Sequence, residues 1–497
     1  MNKNSNYALL LLLATALLLT TAFQNPKPGD GLYSGILKKN MDTSITPGNN
    51  FTQYVNGSWF KNTMIPDDRA TYGAMSILYD KAQDDVQTII ENAAKGNPKE
   101  GSEEQKIGDY YAAFMNKKIR DAIGIKPLQE EFKKIDAIAS PKDLAAYFSY
   151  ANKIGNMIPL NIGIIEDFKD PKKYMIYTWQ SGLGLPDREY YFMKDSKSVA
   201  LRAKYLIHIQ NMLKLAGLTD PKTKASQIMA LETSIAAKHM KKEATRNMPG
   251  LYNKYAVSSL KALTPALDWN TLLREAGIKN LDSLVVTQVA FTKDLNAILK
   301  NTPLSTWKTY LKWSATTAAA NSLNSALEDE DFDFRGKALY GIKEQKEQWR
   351  KAVNAVNENL GEVVGKVYVE KHFPVAAKVR MELLVNNLLK AYEVSIKDLD
   401  WMSPDTKKQA LDKLNKFRPK IGYPDKWRDY STLKVVKNDL YGNNDEALRN
   451  TVSTDPHSPA QFRVNGVVRN IPEFYTAFNV KPTDSLYLSP EKRVKIW

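Results

Sequence analysis

The chain has 497 residues, 43% apolar and 25% charged, with 70 Lys and Arg against 55 Asp and Glu and no cysteine. That length exceeds what one hydrophobic core serves, so at least two lobes are expected, and the balanced composition argues against a disordered chain. The missing thiol excludes a disulfide framework, a thiolate nucleophile and every cysteine metal site, while the net charge of +15 is spread over lysines interspersed with acids, the pattern of a solvated surface rather than of a nucleic-acid partner.

In chain order, residues 1–22 have the shape of a secretory signal. Lys3 precedes an apolar run from Ala8 to Leu19, and Thr20-Thr21-Ala22 makes a small-residue cleavage site. The run is shorter than the roughly 20 residues that span a bilayer, so cleavage and export to the periplasm or the outside are expected, with no transmembrane anchor afterwards. Residues 23–45 read as an extended leader, and the aromatic stretch Phe51 to Phe60 as part of an arm over 23–80 that packs on the body.

A helical period takes over from about Asp80. Ser140 before Pro141 marks an N-cap and first-turn proline, Ser198 to Ala216 forms a helix closed by Gly217, and Lys224 to Lys241 carries Ile228, Leu231, Ile235 and His239 on one stripe. Another helix is expected from Glu344 to Gly361, and one opened by Ser403-Pro404 to about Lys416. Leu160 to Ile165 and Met175 to Gln180 are the two expected strands. Gly182-Leu183-Gly184 before Pro186 reads as a turn. The run Glu328 to Asp331 reads as a solvated loop, with a calcium contact as the alternative. After Pro424 the chain changes to loops, prolines and aromatics.

Four histidines allow the metal sites to be enumerated. No two of His208, His239, His372 and His457 have the i, i+4 spacing that projects both imidazoles from one helix face. His208, His239 and His372 lie among apolar residues and read as core or boundary histidines. A Gly-x-Ser-x-Gly elbow and a phosphate loop are absent. What remains is Asp455-Pro456-His457-Ser458-Pro459 with Arg463. Either His457 caps local backbone and Arg463 pairs with a carboxylate, or the two converge and stabilise a developing oxyanion. They supply no nucleophile.

Several stretches resemble the neprilysin and endothelin-converting-enzyme family of zinc metallopeptidases, in its bacterial form. They are Phe51 to Trp59 with Ile65-Pro66-Asp67-Asp68-Arg69, Lys106-Ile107-Gly108-Asp109-Tyr110-Tyr111, Gly182 through Tyr191, Leu231-Glu232-Thr233, Trp349-Arg350, and Lys420-Ile421-Gly422-Tyr423-Pro424. Asp455 to Pro459, Phe462-Arg463 and Trp497 continue the match in the same order. The resemblance implies a mainly α protein, a large helical N-terminal lobe over 81–425 with a remnant of a thermolysin-like α+β lobe over 426–497, enclosing oligopeptides as partners and no nucleic acid. It implies zinc on a His-Glu-x-x-His helix with a glutamate from a Glu-x-x-x-Asp helix, and gives His457 and Arg463 supporting roles at the transition-state oxygen and a substrate carbonyl.

The chain departs from that pattern near 444–453. After Asp439-Leu440-Tyr441-Gly442-Asn443 it passes directly to Asp455-Pro456-His457, so the segments that carry the metal ligands and the general base are missing. Zinc is expected for the family, none is expected to bind this chain, and hydrolysis by it is not expected. The alternatives are a non-catalytic peptide- or surface-binding module, or a truncated product of an active peptidase.

Overall fold

The computed structural model describes residues 36–453 apart from 97, 171, 172, 279 and 425, without the side chains of 446 and 448–453. The expected signal at 1–22 and the pair His457 and Arg463 lie outside the described residues. The protein is mainly α, and the described chain divides into two units at Pro66.

In the first unit the aromatic stretch is a helix, α1 (Phe51–Asn62), because the Asn50 side chain accepts from the Gln53 amide and caps it. Its Gly57 permits close approach to the strand of chain before it: a Cβ there would sit 2.6 Å from the Asp42 Cβ. The Asp42 carboxylate takes Lys61 Nζ at 2.6 Å and the Ser44 amide at 3.1 Å, and the Lys61 and Ser44 contacts hold its pKa down at about 2.

The second unit begins with α2 (Ala74–Lys95), α3 (Glu103–Met115), α4 (Lys117–Ile123), α5 (Lys126–Asp136) and α6 (Pro141–Lys153). Ser140 caps α6 through the Asp143 amide, with Pro141 in the first turn. Strands β1 (Leu160–Glu166) and β2 (Tyr174–Gln180) follow, then α7 (Ser196–Leu215) and α8 (Pro221–Lys238). Gly217, at φ +75°, closes α7 as its sequence position implies. Two further strands, β3 (Lys254–Ala256) and β4 (Ser283–Val286), complete a sheet in the order β1-β2-β4-β3. β1 and β2 are antiparallel, with Leu160 opposite Gln180, whereas β2 and β4 are parallel, with Tyr177 opposite Val285. A parallel pair needs a long crossover, and α7 and α8 lie within it.

The edge of β1 is occupied by a side chain. Asn152 donates to the Ile162 carbonyl at 2.9 Å and accepts from its amide at 3.1 Å, taking the place of a neighbouring strand. The chain continues through α9 (Trp269–Glu275), α10 (Val289–Asn301), α11 (Leu304–Ala319) and α12 (Ser325–Asp331), which runs on into a π-helix at Phe332–Leu339. The acidic run Glu328 to Asp331 therefore belongs to a helix and not to a solvated loop. Glu328 is 2% exposed and Asp331 8%. Arg120 of α4 reaches Glu328 at 3.0 Å and Lys351 also bonds it, which is why a buried carboxylate is tolerated there.

Helix α13 (Gln348–His372) extends beyond the expected end at Gly361. It kinks at Leu360 (φ −130°, ψ 22°) and resumes because Val363 and Val364 are buried beyond the kink. Helices α14 (Val375–Asp398) and α15 (Pro404–Asn415) form a pair in which no residue is buried. Loops after Pro424 bury Tyr430 and Leu433, and α16 (Leu440–Ser453) then spans the expected junction. Two cores result. One gathers α5 to α8, the sheet and α9 to α12 around Trp307, Trp313, Tyr205 and Tyr310. The other gathers α2, α3, α13, Tyr430, Leu433 and Leu440.

Candidate functional site

The turn Gly182-Leu183-Gly184-Leu185-Pro186 follows the C-terminal end of β2, beside Thr287 and Gln288 at the end of β4. It is held from below by one carboxylate. Glu232 of α8, wholly buried, accepts from the Tyr191 and Tyr205 hydroxyls at 2.7 Å each, from Trp313 Nε1 at 3.2 Å and from the Gly184 amide at 3.3 Å. Burial raises its pKa from the usual 4.5 against the lowering effect of those donors. The Tyr310 hydroxyl donates to the Gly182 carbonyl at 3.1 Å, and Gly182 itself, at φ +96°, leaves no room for a side chain beside Pro159. The turn is thus a fixed rim and not a mobile loop.

Above this rim run three adjoining hollows. The first, of about 520 Å3, lies over Trp179, Arg188, His239 and Lys242. The second, of about 410 Å3, shares Asn161, Ser181 and Leu183 with it and continues to Asn156, Thr317 and Arg335. The third, of about 200 Å3, shares Asn156 and Ala318 with the second and ends at Glu130, Glu131 and Asp445. Shared walls set them in a row along the first core, as a segmented groove. The first hollow lies just past the C-terminal ends of β2 and β4, the parallel pair of the sheet.

Its middle is polar. Asn161 faces it from β1, and the Thr317 Oγ1 is shielded from solvent with no hydrogen-bond partner among the described residues. Arg335 enters from the π-helix, with its Nε 2.9 Å from Asp331. π-Helical turns cluster at functional sites. At one end Arg188 donates to the Ala236 carbonyl and to Glu189, at 3.2 and 2.6 Å. At the other, the buried Glu131 accepts from Tyr150 at 3.1 Å and from Lys134 at 3.1 Å, and also bonds Tyr147.

The histidines that remain in view are each committed. His208 is 1% exposed, stacks on Phe334 and has Nδ1 3.1 Å from Glu330. His239 Nε2 is 3.0 Å from the Ser181 carbonyl, so a neutral ring donates there, and burial pulls its pKa down to about 4. His372 lies against Tyr368, 3.6 Å from Asp85. Among the described residues no group of three or more His, Asp and Glu is placed to hold a metal. The donor set for a catalytic zinc, three protein ligands with an open position, is thus not assembled by the described residues. The groove was not legible beforehand. Its residues come from well-separated segments, of which Gly182 through Arg188 lie in a recognisable stretch, as does Glu232 beneath the rim.

Models of peptidase family M13 match residues 47–424 and 438–494. Endothelin-converting enzyme 1 of Mus musculus is 27% identical over 415 residues, covering 80% of this chain and 53% of that protein. Among solved structures, the zinc metalloprotease ZMP1 of Mycobacterium tuberculosis in complex with an inhibitor superposes with a TM-score of 0.79 at 35% identity, covering 84% of this chain and 64% of that one. PEPO from Lactobacillus rhamnosis, at 19% identity and a TM-score of 0.70, shares the fold, over 81% of this chain and 65% of its own. The chain spans about half the length of the curated relatives it matches.

Proposed function

The chain belongs to peptidase family M13, and we propose that it carries the helical, oligopeptide-enclosing part of such a peptidase without a hydrolytic centre of its own. The observation that carries this is the ligand inventory. No His-Glu-x-x-His occurs anywhere in the 497 residues. Within 438–494, the stretch matched to the C-terminal family model, there is one histidine, His457, and no Glu-x-x-x-Asp. A zinc hydrolase needs three protein ligands, and a water on the metal with a general base beside it; one histidine does not provide them. His457 and Arg463 are then supports for a transition state that this chain does not generate.

The groove supports the remainder of the reading, since a rigid rim and a polar floor suit an extended peptide. Export is part of the proposal and rests on residues 1–22. The test is equilibrium dialysis of the purified chain against zinc, with metal analysis of the protein. Less than about 0.1 zinc per chain is expected, because a lone imidazole with scattered carboxylates binds zinc weakly. One zinc per chain, with peptide cleavage that a chelator stops, would sink the proposal.

A further inference from the structure

The groove carries charge of opposite sign at its two ends. Glu130, Glu131 and Asp445 line one end, where Lys133 reaches Glu130 at 2.6 Å and Lys134 reaches Glu131 at 3.1 Å, and Arg188 and Lys242 line the other beside Asp187. Between the ends stand amides able to donate and accept at once, namely Asn156, Asn161 and Asn321, and the Thr317 hydroxyl, which has no partner among the described residues. Trp179, Phe168 and Met240 add an apolar wall near the basic end. A nucleic acid or a polyanion would be repelled at the acidic end, and a purely apolar ligand would leave the amides unpaired. An extended peptide with free termini satisfies all three zones, since its backbone alternates donors and acceptors and its ends carry opposite charges.

We propose that the groove binds an oligopeptide in a single direction, with the ammonium end towards Glu130, Glu131 and Asp445 and the carboxylate end towards Arg188 and Lys242. The inference rests on the reading of this chain as the peptide-enclosing part of a family M13 peptidase, and adds to it a direction and the residues that set it. Lys242 and Glu130 are positioned to discriminate between free and blocked termini, because both are exposed and neither supports the fold from within a core.

The experiment is calorimetric titration of the full chain with an alanine-rich hexapeptide containing one phenylalanine, prepared with both ends free, N-acetylated, C-amidated and doubly blocked. The free peptide is expected to bind saturably at one per chain, and each block to weaken binding by roughly 1.5- to 5-fold, the range for an exposed ion pair. Lys242→Glu is expected to erase the effect of amidation and leave that of acetylation. Glu130→Lys is expected to do the converse, with both variants melting like the parent. Absence of saturable binding by a folded chain would overturn the proposal, and so would blocking effects that the two variants leave untouched or exchange. Mass spectrometry of the same mixtures keeps the two claims apart. Zinc-dependent cleavage of the peptide would overturn the functional reading while leaving direction to be judged by the variants. An intact peptide that does not bind would overturn the binding proposal while leaving the absence of a hydrolytic centre standing.

Discussion

At the scale of single residues, Glu232 is the group on which the groove depends. Four donors from residues 184, 191, 205 and 313 converge on it. Glu232→Ala would leave buried donors unpaired and is expected to cost about 2 to 4 kcal/mol in urea unfolding, with Glu232→Gln costing less. The folded state holds the Glu232 proton more tightly than the usual 4.5. Its contribution is therefore complete below that value and lost as pH rises through the folded pKa. Wild type should lose stability relative to Glu232→Gln as pH rises from about 4.5, and parallel urea midpoints for the two proteins across that range would refute this. His239 has the opposite sign. Burial depresses its pKa from 6.5 to about 4, so its contribution is present above 6.5 and is lost as pH falls towards 4. His239→Gln should flatten the acid limb of the stability profile, and an unchanged limb would count against burial as the cause. Glu232 stood in a recognisable stretch, but its role did not, because the donors are brought to it by tertiary packing.

Helices and turns were legible wherever local chemistry decides them. Ser140 with Pro141, Gly217 and Ser403 with Pro404 each mark the helix end that the structure shows. Reading failed where a distant partner decides. The acidic run of α12 looked solvated because Arg120, about two hundred residues earlier, supplies its counter-charge. That ion pair joins α4 and α12, with Lys351 of α13 as third member. Arg120→Ala should cost about 3 to 5 kcal/mol, the range for breaking a buried pair, and Arg120→Met with Glu328→Leu should cost less than Arg120→Ala alone. A double-mutant cycle showing no coupling would contradict the bridge. The short β3 and β4 escaped for the same reason, since pairing of β4 with β2 and of β3 with β4 makes them strands, not their composition. Helix α14 raises a different expectation. Leu383, Leu384 and Leu388 are 60%, 55% and 50% exposed, and contiguous apolar surface promotes association. Leu384→Lys with Leu388→Lys should reduce concentration-dependent self-association in sedimentation velocity without lowering the melting temperature.

At the scale of the whole molecule, family membership was readable from ordered stretches along the chain, and the family models match 47–424 and 438–494. The structure shows how α16 is anchored. The Asn443 side chain accepts from the Val436 amide and donates to its carbonyl, at 2.7 and 2.8 Å, and Asn444 donates to Ser322 at 2.6 Å and bonds Tyr110. Tyr110 belongs to the second core and Ser322 lies in the turn that ends α11 of the first, so the two cores meet at Asn444. These bonds tie α16 to both cores, and among the described residues no group of three or more His, Asp and Glu is placed to hold a metal. The account therefore stands on a separation of peptide enclosure from peptide hydrolysis. The direct measurement is a mass-spectrometric time course of oligopeptides incubated with the purified chain and added zinc, with and without chelator. Intact peptides under both conditions are predicted, and cleavage that the chelator abolishes would contradict it.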